Sequence, residues 1–599
     1  MLERKWIILA GEEAGPKSNK MGGIWNVIDA EAMTLASLFN SGAINDDDHP
    51  RILVAGPYYG SSGSDWNKGL NRITDMSEFN EFDLDGELAA AIEAVRIEGI
   101  EIIAGVRKVG ETKIGFLMFK TDNFGKIITD HKGTSMPLAN KIKSEAYDLI
   151  GLDSLKYEYI GNGAEYTHYL NLSYAISEFV RALVTLNEEK AREYHDTAIT
   201  DFAKSLMPKM QVSLHCHEFG VFYAIARLEK LSIPVKSVAT FHATLPGRCA
   251  GHLSIQKIRN NDSSWVGGVP LAFAKLESLS SYADVVTAVG NSTSKETKLF
   301  YGIDSILVRN GVSLDDGETD WDKKTKFRKD IQKFISENLH KYHNGELIPS
   351  NKIIPLFSIS RIEIENKGYP DLLDSLVLLD RMVKMEILGG KLDEDVRIVC
   401  FIIAAHGPKS NLPDGFPINL PKEVLVGDEL RLQNMIEERG LECSKIPSGK
   451  RCVSAVLYPQ WISSNDGGFN MTLEELMSGC VAGIFPSRYD PFLLTGLEAG
   501  KESTPSIVSK VCGFSDALKT LKRLVMGMGG VIVVDNIDMS YNETIVDYAL
   551  AMDYFIDTYF HDKVKYNLLC EEARLLAKEM NWDMPAKEYY ELLTGIKVT

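Results

Sequence analysis

Two acids and two cations carry the chemistry legible in this chain. Asp490 sits in a proline-bounded loop, FPSRYDPFLL, and Glu498 follows it; Arg361 and Lys367 follow an earlier apolar run, with Glu363 and Glu365 between them. Ionised carboxylates accept hydrogen bonds from the hydroxyls of a polyol. A guanidinium grips phosphate with a planar fork, and an ammonium serves as a point charge. A ligand that needs both kinds of group is a sugar joined to a phosphate. Each feature also has a simpler reading. Thr495-x-x-Glu498 is the local pattern of a capping box, and Arg361 and Lys367 with their glutamates can form a solvated surface ion-pair cluster.

The elements that position these residues alternate between strand and helix. Val481–Phe485 reads as a strand, followed by the loop with Asp490, a helix from about Thr495 with Glu498 in its first turn, and a strand at Ser506–Lys510. That is one βαβ unit of a parallel sheet, whose ligands sit at the carboxyl ends of its strands. Ile353–Ser358, Arg397–Ala404, Val453–Leu457 and Gly530–Val534 complete the set, and Arg361 and Lys367 follow the first of them.

The first half repeats the architecture without repeating the sequence. Its strands are Lys5–Ala10, Arg51–Gly56, Met210–His215, Val235–Phe241, Asp284–Val289 and Ile306–Arg309. After the first strand come Lys20, Gly22 and Gly23 and a helix from Ile24 to Leu38, an anion-binding layout that is also compatible with a plain tight turn. The fold class is α/β: two Rossmann-like doubly wound domains with a cleft between them. The expected organisation is 1–325, then 326–575 with an insertion at about 370–436, then a C-terminal helix in 576–599. The polar stretch Ser313–Asn351 is expected to hold the boundary.

Composition bounds the function. A chain of 599 residues exceeds one core. A net charge of -18 argues against wrapping nucleic acid or lying on an anionic membrane. The 8 cysteines are scattered with no CxxC pair, which suits reduced thiols and a cytoplasmic location. His215, Cys216, His217, His242, Cys249 and His252 lie near one another in sequence but lack paired zinc-ligand spacing. A satisfied histidine at a strand end is the default, and no metal is expected. Met526-Gly527-Met528-Gly529-Gly530 precedes a strand, the wrong context for a dinucleotide fingerprint. No GxSxG elbow, P-loop or HExxH is present.

With these residues in place, the chain resembles the eukaryotic-type glycogen synthases of glycosyltransferase family 3. The stretches that carry the resemblance occur in order. They are Lys20-Met21-Gly22-Gly23-Ile24, Gly56-Pro57-Tyr58, His217-Glu218-Phe219, Thr240-Phe241-His242-Ala243-Thr244-Leu245 with Gly247-Arg248, and Asn310-Gly311. They continue with Arg361 and Asn366-Lys367-Gly368, Tyr458-Pro459-Gln460-Trp461-Ile462-Ser463-Ser464, Phe485-Pro486-Ser487-Arg488-Tyr489-Asp490-Pro491, Glu498, and Gly513-Phe514.

The resemblance implies a GT-B fold whose last helix crosses back to the first domain. It implies transfer of glucose, with retention, from a nucleotide-diphosphate glucose (UDP-glucose favoured) to the 4-hydroxyl of an α-1,4-glucan, without a metal or other cofactor. Arg361 and Lys367 would neutralise the leaving diphosphate, Asp490 would hold donor-sugar hydroxyls, Glu498 the ribose, and His217 would line the sugar pocket. Lys20, Gly22, Gly23, Asn310, Tyr489, Leu494 and Thr495 complete the implied donor-binding set. The alternatives are a GT-B transferase for another sugar or acceptor, and a catalytically silent glucan-binding subunit. The implied partners are the nucleotide sugar and the glucan, with a homo-oligomer suggested by the position of the 370–436 stretch. The chain departs from the family in having Asp490 for glutamate and Leu493 for glycine. It also lacks the arginine-rich helix that senses glucose 6-phosphate, offering only Arg574 and Lys578, so strong activation by that sugar phosphate is not expected.

Overall fold

The computed structural model describes residues 4–20, 22–44, 49–59, 86–125, 127–129, 135–158, 163–196, 210–314, 317–339, 349–404, 422–443, 451–520 and 529–598. The chain divides into two compact units. The first comprises 1–250, 257–310 and 582–599, and the second 251–256 and 311–581.

The first unit is built on one sheet. Its strands are β1 (Arg4–Gly11), β2 (Arg51–Pro57), β3 (Glu101–Val109), β4 (Thr112–Lys120), β5 (Met210–His217), β6 (Lys236–Phe241), β7 (Val285–Ala288) and β8 (Ile306–Leu307). They lie in the order β8-β7-β6-β5-β1-β2-β4-β3. All neighbours are parallel except β3, which pairs antiparallel with β4. The runs are apolar on both faces, as strands covered by helices on both sides must be; Ile7, Ile8, Leu9 and Ala10 of β1 are all buried. Strand order reverses between β1 and β5, which pair from Arg4↔Met210 to Gly11↔His217. The helix Asp583–Thr594 packs within this unit. Ser213 Oγ donates to the Leu593 carbonyl at 2.7 Å, and Tyr589 and Tyr590 are fully buried.

The second unit holds β9 (Ile353–Ile359), β10 (Arg397–Ile403), β11 (Val453–Tyr458), β12 (Ala482–Phe485), β13 (Ser506–Ser509) and β14 (Val531–Val534). All are parallel, in the order β11-β10-β9-β12-β13-β14. This is the 3-2-1-4-5-6 order of a doubly wound nucleotide-binding sheet, and its switch point lies between β9 and β12.

Two expectations about organisation change. The boundary falls at Asn310/Gly311, ahead of residue 325. The polar segment forms the helix Trp321–Leu339, which is bound to the second unit through buried polar groups. Lys324 donates to the Ser478 carbonyl at 2.7 Å, Arg328 to that of Gly479 at 3.0 Å, and Gln332 to that of Ile353 at 2.8 Å. A polar sequence here marks side chains that reach backbone carbonyls. Within 370–436, the helix Tyr369–Leu388 and strand β10 are regular members of the sheet's first crossover, so the insertion reading does not hold for them. Of the expected insertion, residues 405–421 lie outside the described residues.

Candidate functional site

At the switch point of the second sheet, the loops after β9 and β12 are fastened together. The Asn366 carbonyl accepts from the backbone N–H groups of Arg488 at 2.8 Å and Tyr489 at 3.0 Å. Gly368 has φ +65° and leaves no room for a Cβ, which would run into the Pro486 carbonyl. This close approach brings Lys367 Nζ to 2.7 Å from Asp490 Oδ2, with both side chains nearly buried, at 13% and 12% exposure. Asp490 Oδ1 also accepts from Phe492 N–H at 3.3 Å. A cation and an acid far apart in sequence thus form one ion pair. Arg361 stands nearby in the β9 loop, 3.2 Å from Glu363, with over half of its side chain exposed.

Arg488 is a brace that sequence reasoning missed. Its guanidinium donates to both Asp371 oxygens at 2.8 and 2.7 Å and to Glu365 at 3.0 Å. Hydrogen bonding to Asp371 raises its pKa above the usual arginine value. The readable signal was an arginine beside the loop acid and an aspartate in the first turn of the Tyr369–Leu388 helix.

The helix after the loop runs from Leu494 to Lys501. Its N-cap is Leu493, with φ +74°, and no side chain caps it. Thr495 is therefore inside the helix, and the capping-box reading with Glu498 does not hold. Glu498 is half-buried and begins the second turn, so the first-turn placement is corrected by one residue. Tyr489 is buried, while Leu494 and Thr495 are half-buried and supply the first backbone N–H groups, which have no acceptor within the helix. Gly513 lies against the Pro491 carbonyl, and Phe514 N–H donates to the Phe492 carbonyl at 2.7 Å, closing the signature loop.

Leu493 keeps the left-handed backbone that glycine adopts freely, while its side chain is only 5% exposed. Leu493→Ala would leave a cavity and keep the strained φ, whereas Leu493→Gly removes the strain. In denaturant unfolding, Leu493→Gly is expected to be about 1 kcal/mol more stable than Leu493→Ala, the reverse of the order in a helix interior.

In the first unit, the helix Gly23–Ser41 begins after Lys20 and Gly22. Its amino end already holds an internal anion. Glu13 Oε2 accepts from Gly22 N–H at 2.8 Å and from Trp25 N–H at 3.2 Å. Gly22 is half-buried and Gly23 exposed; Lys20 is exposed, 5.5 Å over the Trp25 ring. Glu13 is a second residue that sequence reasoning missed. Asn310 is buried, with no hydrogen-bond partner for its Oδ1 among the described residues.

His217 ends β5 beside β1, and its imidazole is fully buried. It belongs to a chain of polar groups: Glu31 of the Gly23–Ser41 helix, His215, His217 and His242. His215 Nδ1 is 2.9 Å from Glu31 Oε1, His217 Nε2 is 3.4 Å from Glu31 Oε2, and His217 Nδ1 is 3.1 Å from His242 Nε2. Burial works to raise the Glu31 carboxyl, but the charge and hydrogen bond of His215, joined by those of His217, bring it down to about 2. Burial, with His215 adding to it, holds His217 down to about 4 against the pull of Glu31. Burial and the neighbouring His217 hold His242 below its usual range as well. Glu31, His215 and His217 offer metal-ligand atoms within 4.8 Å of one another. Cys216 points to the other face of the strand, where its Sγ meets the Val221 carbonyl, and Cys249 is exposed.

A family model described as glycogen synthase matches residues 442–591. The chain is similar to glycogen [starch] synthase isoform 1 of Saccharomyces cerevisiae, at 20% identity over 96% of this chain and 84% of that one. It is also similar to the liver glycogen [starch] synthase of Homo sapiens, at 19% identity over 85% and 72%. Among solved structures, the catalytic domain of starch synthase IV from Arabidopsis thaliana, bound to ADP and acarbose, superposes with a TM-score of 0.51 at 14% identity over 99% of both chains. That likeness establishes the fold as GT-B.

Proposed function

We propose that this chain, a relative of the eukaryotic glycogen synthases with the GT-B fold, is a retaining hexosyltransferase of the glycogen (starch) synthase type. It moves glucose from a nucleotide-diphosphate glucose, UDP-glucose before ADP-glucose, to the 4-hydroxyl at the end of an α-1,4-glucan. The observation that carries this reading is the Lys367–Asp490 contact of 2.7 Å at the switch point of the second sheet. In such sheets the ligand lies at that point.

The chemistry follows from where charge develops. As the bond from the anomeric carbon to phosphate breaks, negative charge grows on the diphosphate. Lys367 and Arg361 neutralise it, and the first N–H groups of the helix at Leu494 and Thr495 offer further donors. Asp490 accepts from hydroxyls of the donor sugar, and Glu498 from those of the ribose. Lys20, Gly22, Gly23 and Asn310 are further candidate donor-binding residues. With cations and a helix start supplying the positive field, the reaction calls for no metal. A cytoplasmic location is the matching proposal, since all 8 cysteines are free. Among the described residues no helix is long and apolar enough to cross a membrane. Arg574 donates to the carbonyls of Gly317 and Lys501, at 2.7 and 2.5 Å, which supports a role as an internal anchor and not as a sugar-phosphate sensor.

The test is turnover. Purified protein with glycogen primer and UDP-glucose is expected to release UDP and lengthen amylase-sensitive chains, unaffected by chelator and by glucose 6-phosphate. Release of no nucleoside diphosphate from either UDP-glucose or ADP-glucose, together with retained glycogen binding, would make it a silent glucan-binding subunit. Turnover only with another sugar in a donor panel would redirect the substrate.

A further inference from the structure

We propose that Glu31 is a positioning residue that fixes the ring tautomers of His217 and His242, so that His242 presents Nδ1 as a hydrogen-bond acceptor at the carboxyl end of β6. What that acceptor meets, a sugar hydroxyl, rests on the function proposed above.

The argument runs along the polar chain. An ionised carboxylate only accepts. His215 Nδ1, hydrogen-bonded to Glu31 Oε1 at 2.9 Å, must therefore carry hydrogen. His217 Nε2 lies 3.4 Å from Glu31 Oε2 without the alignment of a hydrogen bond, and there the carboxylate charge repels a lone pair and favours hydrogen on Nε2. A neutral His217 with hydrogen on Nε2 has its lone pair on Nδ1. That atom lies 3.1 Å from His242 Nε2, which must then be the donor. A neutral His242 with hydrogen on Nε2 in turn exposes its lone pair on Nδ1. One carboxylate thus sets the direction of two imidazoles in series.

The other branch imposes no direction. His215 Nε2 lies 2.6 Å from Thr240 Oγ1, which lies 2.6 Å from Thr287 Oγ1, and hydroxyls turn to suit either partner. Three further groups complete the surroundings. Tyr589 of the closing helix lies with its ring centroid 4.5 Å from that of His215. Arg248, just after β6, acts on His242 electrostatically. Glu218 Oε1 accepts from the backbone N–H groups of His242 at 2.7 Å and Ala243 at 3.0 Å, which fixes that residue in place. Glu31, His215 and His217 are 0% exposed and His242 is 9%, so His242 is the least buried member of the chain. It lies at the strand ends where open α/β sheets take their ligands.

The same three ligands would hold a metal only in the opposite state. A metal needs the lone pair of His217 on Nε2, which puts hydrogen on Nδ1 and reverses the bond to His242. The direct 2.9 Å hydrogen bond between His215 and Glu31 favours the carboxylate-directed arrangement.

Ring-nitrogen NMR on the full-length protein labelled with ¹⁵N-histidine distinguishes the two. His217→Asn and His242→Asn variants assign the signals. The wild type is expected to show both residues neutral with hydrogen on Nε2. Glu31→Leu, which fills the space without an acceptor, is expected to shift both toward the Nδ1–H form, and Glu31→Gln to restore the wild-type pattern in part. In glycogen elongation, Glu31→Leu is expected to lower kcat about tenfold or more with the donor KM within about twofold, and Glu31→Gln to recover part of kcat. Unchanged His242 signals in Glu31→Leu would overturn the proposal. So would reversed wild-type tautomers together with stoichiometric zinc in the purified protein. If the wild type does not turn over, the proposed function fails while the NMR comparison still decides the role of Glu31.

Discussion

Lys367→Ala is expected to lower kcat for glucosyl transfer from UDP-glucose by about 10²–10³-fold, the usual cost of removing one group that stabilises developing transition-state charge. The effect on donor KM is expected to be small, because the diphosphate charge that Lys367 is proposed to meet is largest in the transition state. The substitution also has a structural cost. Lys367 and Asp490 are 2.7 Å apart and nearly buried, so removing the lysine leaves Asp490 with the Phe492 N–H as its remaining donor among the described residues. An under-satisfied buried carboxylate costs about 1–3 kcal/mol. Lys367→Ala combined with Asp490→Asn is therefore expected to recover most of the lost stability in denaturant unfolding and none of the lost kcat. Recovery of both would make the pair a structural bridge and remove Lys367 from the chemistry. Arg361→Ala is expected to reduce kcat with little change in stability, since most of its side chain is exposed.

The six strands of the second sheet were legible because parallel strands covered on both faces are short, continuous apolar runs between polar loops. Ile353–Ser358 and Val453–Leu457 read from sequence differ from β9 and β11 by one residue at an end. Lys367 and Asp490 could be named separately, but their contact depends on strand order, which periodicity does not encode. β12 lies next to β9 because the chain crosses the sheet there, and no local pattern states that. The helix start was misplaced for a different reason. Thr-x-x-Glu is a good capping pattern, but the backbone at Leu493 adopts a left-handed turn that begins the helix early. Side-chain propensity gives no warning of that turn. Glu13 and Glu31 were invisible as partners because a lone acid near a glycine loop, or on the inner face of a helix, has no sequence signature. Only the fold brings Glu13 to the amino end of the Gly23–Ser41 helix and Glu31 to β5. The polar segment after Ser313 misled for the opposite reason, since its lysines and arginines are structural donors to carbonyls of the second unit.

The glycine beside Lys367 tests how tightly the two loops must fit. Gly368→Ala is expected to destabilise the protein by about 2–5 kcal/mol, combining about 1–2 kcal/mol of left-handed backbone strain with about 1–3 kcal/mol of overpacking. The added Cβ would also lie 2.8 Å from the Pro486 carbonyl carbon. This is backbone against backbone, so no side chain can swing aside. Separating the loops would cost the Arg488 and Tyr489 N–H bonds to Asn366 and strain the bidentate grip of Arg488 on Asp371. Whatever fraction folds is expected to lose about 10²-fold in kcat, because a shift of about 1 Å moves Lys367 off its proposed place at the phosphate. Gly390 provides the control. It has a similar φ of +72° but nothing within 4 Å of a built Cβ. Gly390→Ala therefore reports backbone strain alone, about 1 kcal/mol, with activity intact. Asparagine tolerates the left-handed region, so Gly390→Asn is expected to be nearly neutral, while Gly368→Asn should fail as badly as alanine because the clash begins at Cβ. Equal losses of melting temperature and activity at the two glycines would show that the loops are not held by close approach, and the geometry that sets Lys367 against Asp490 would need another cause.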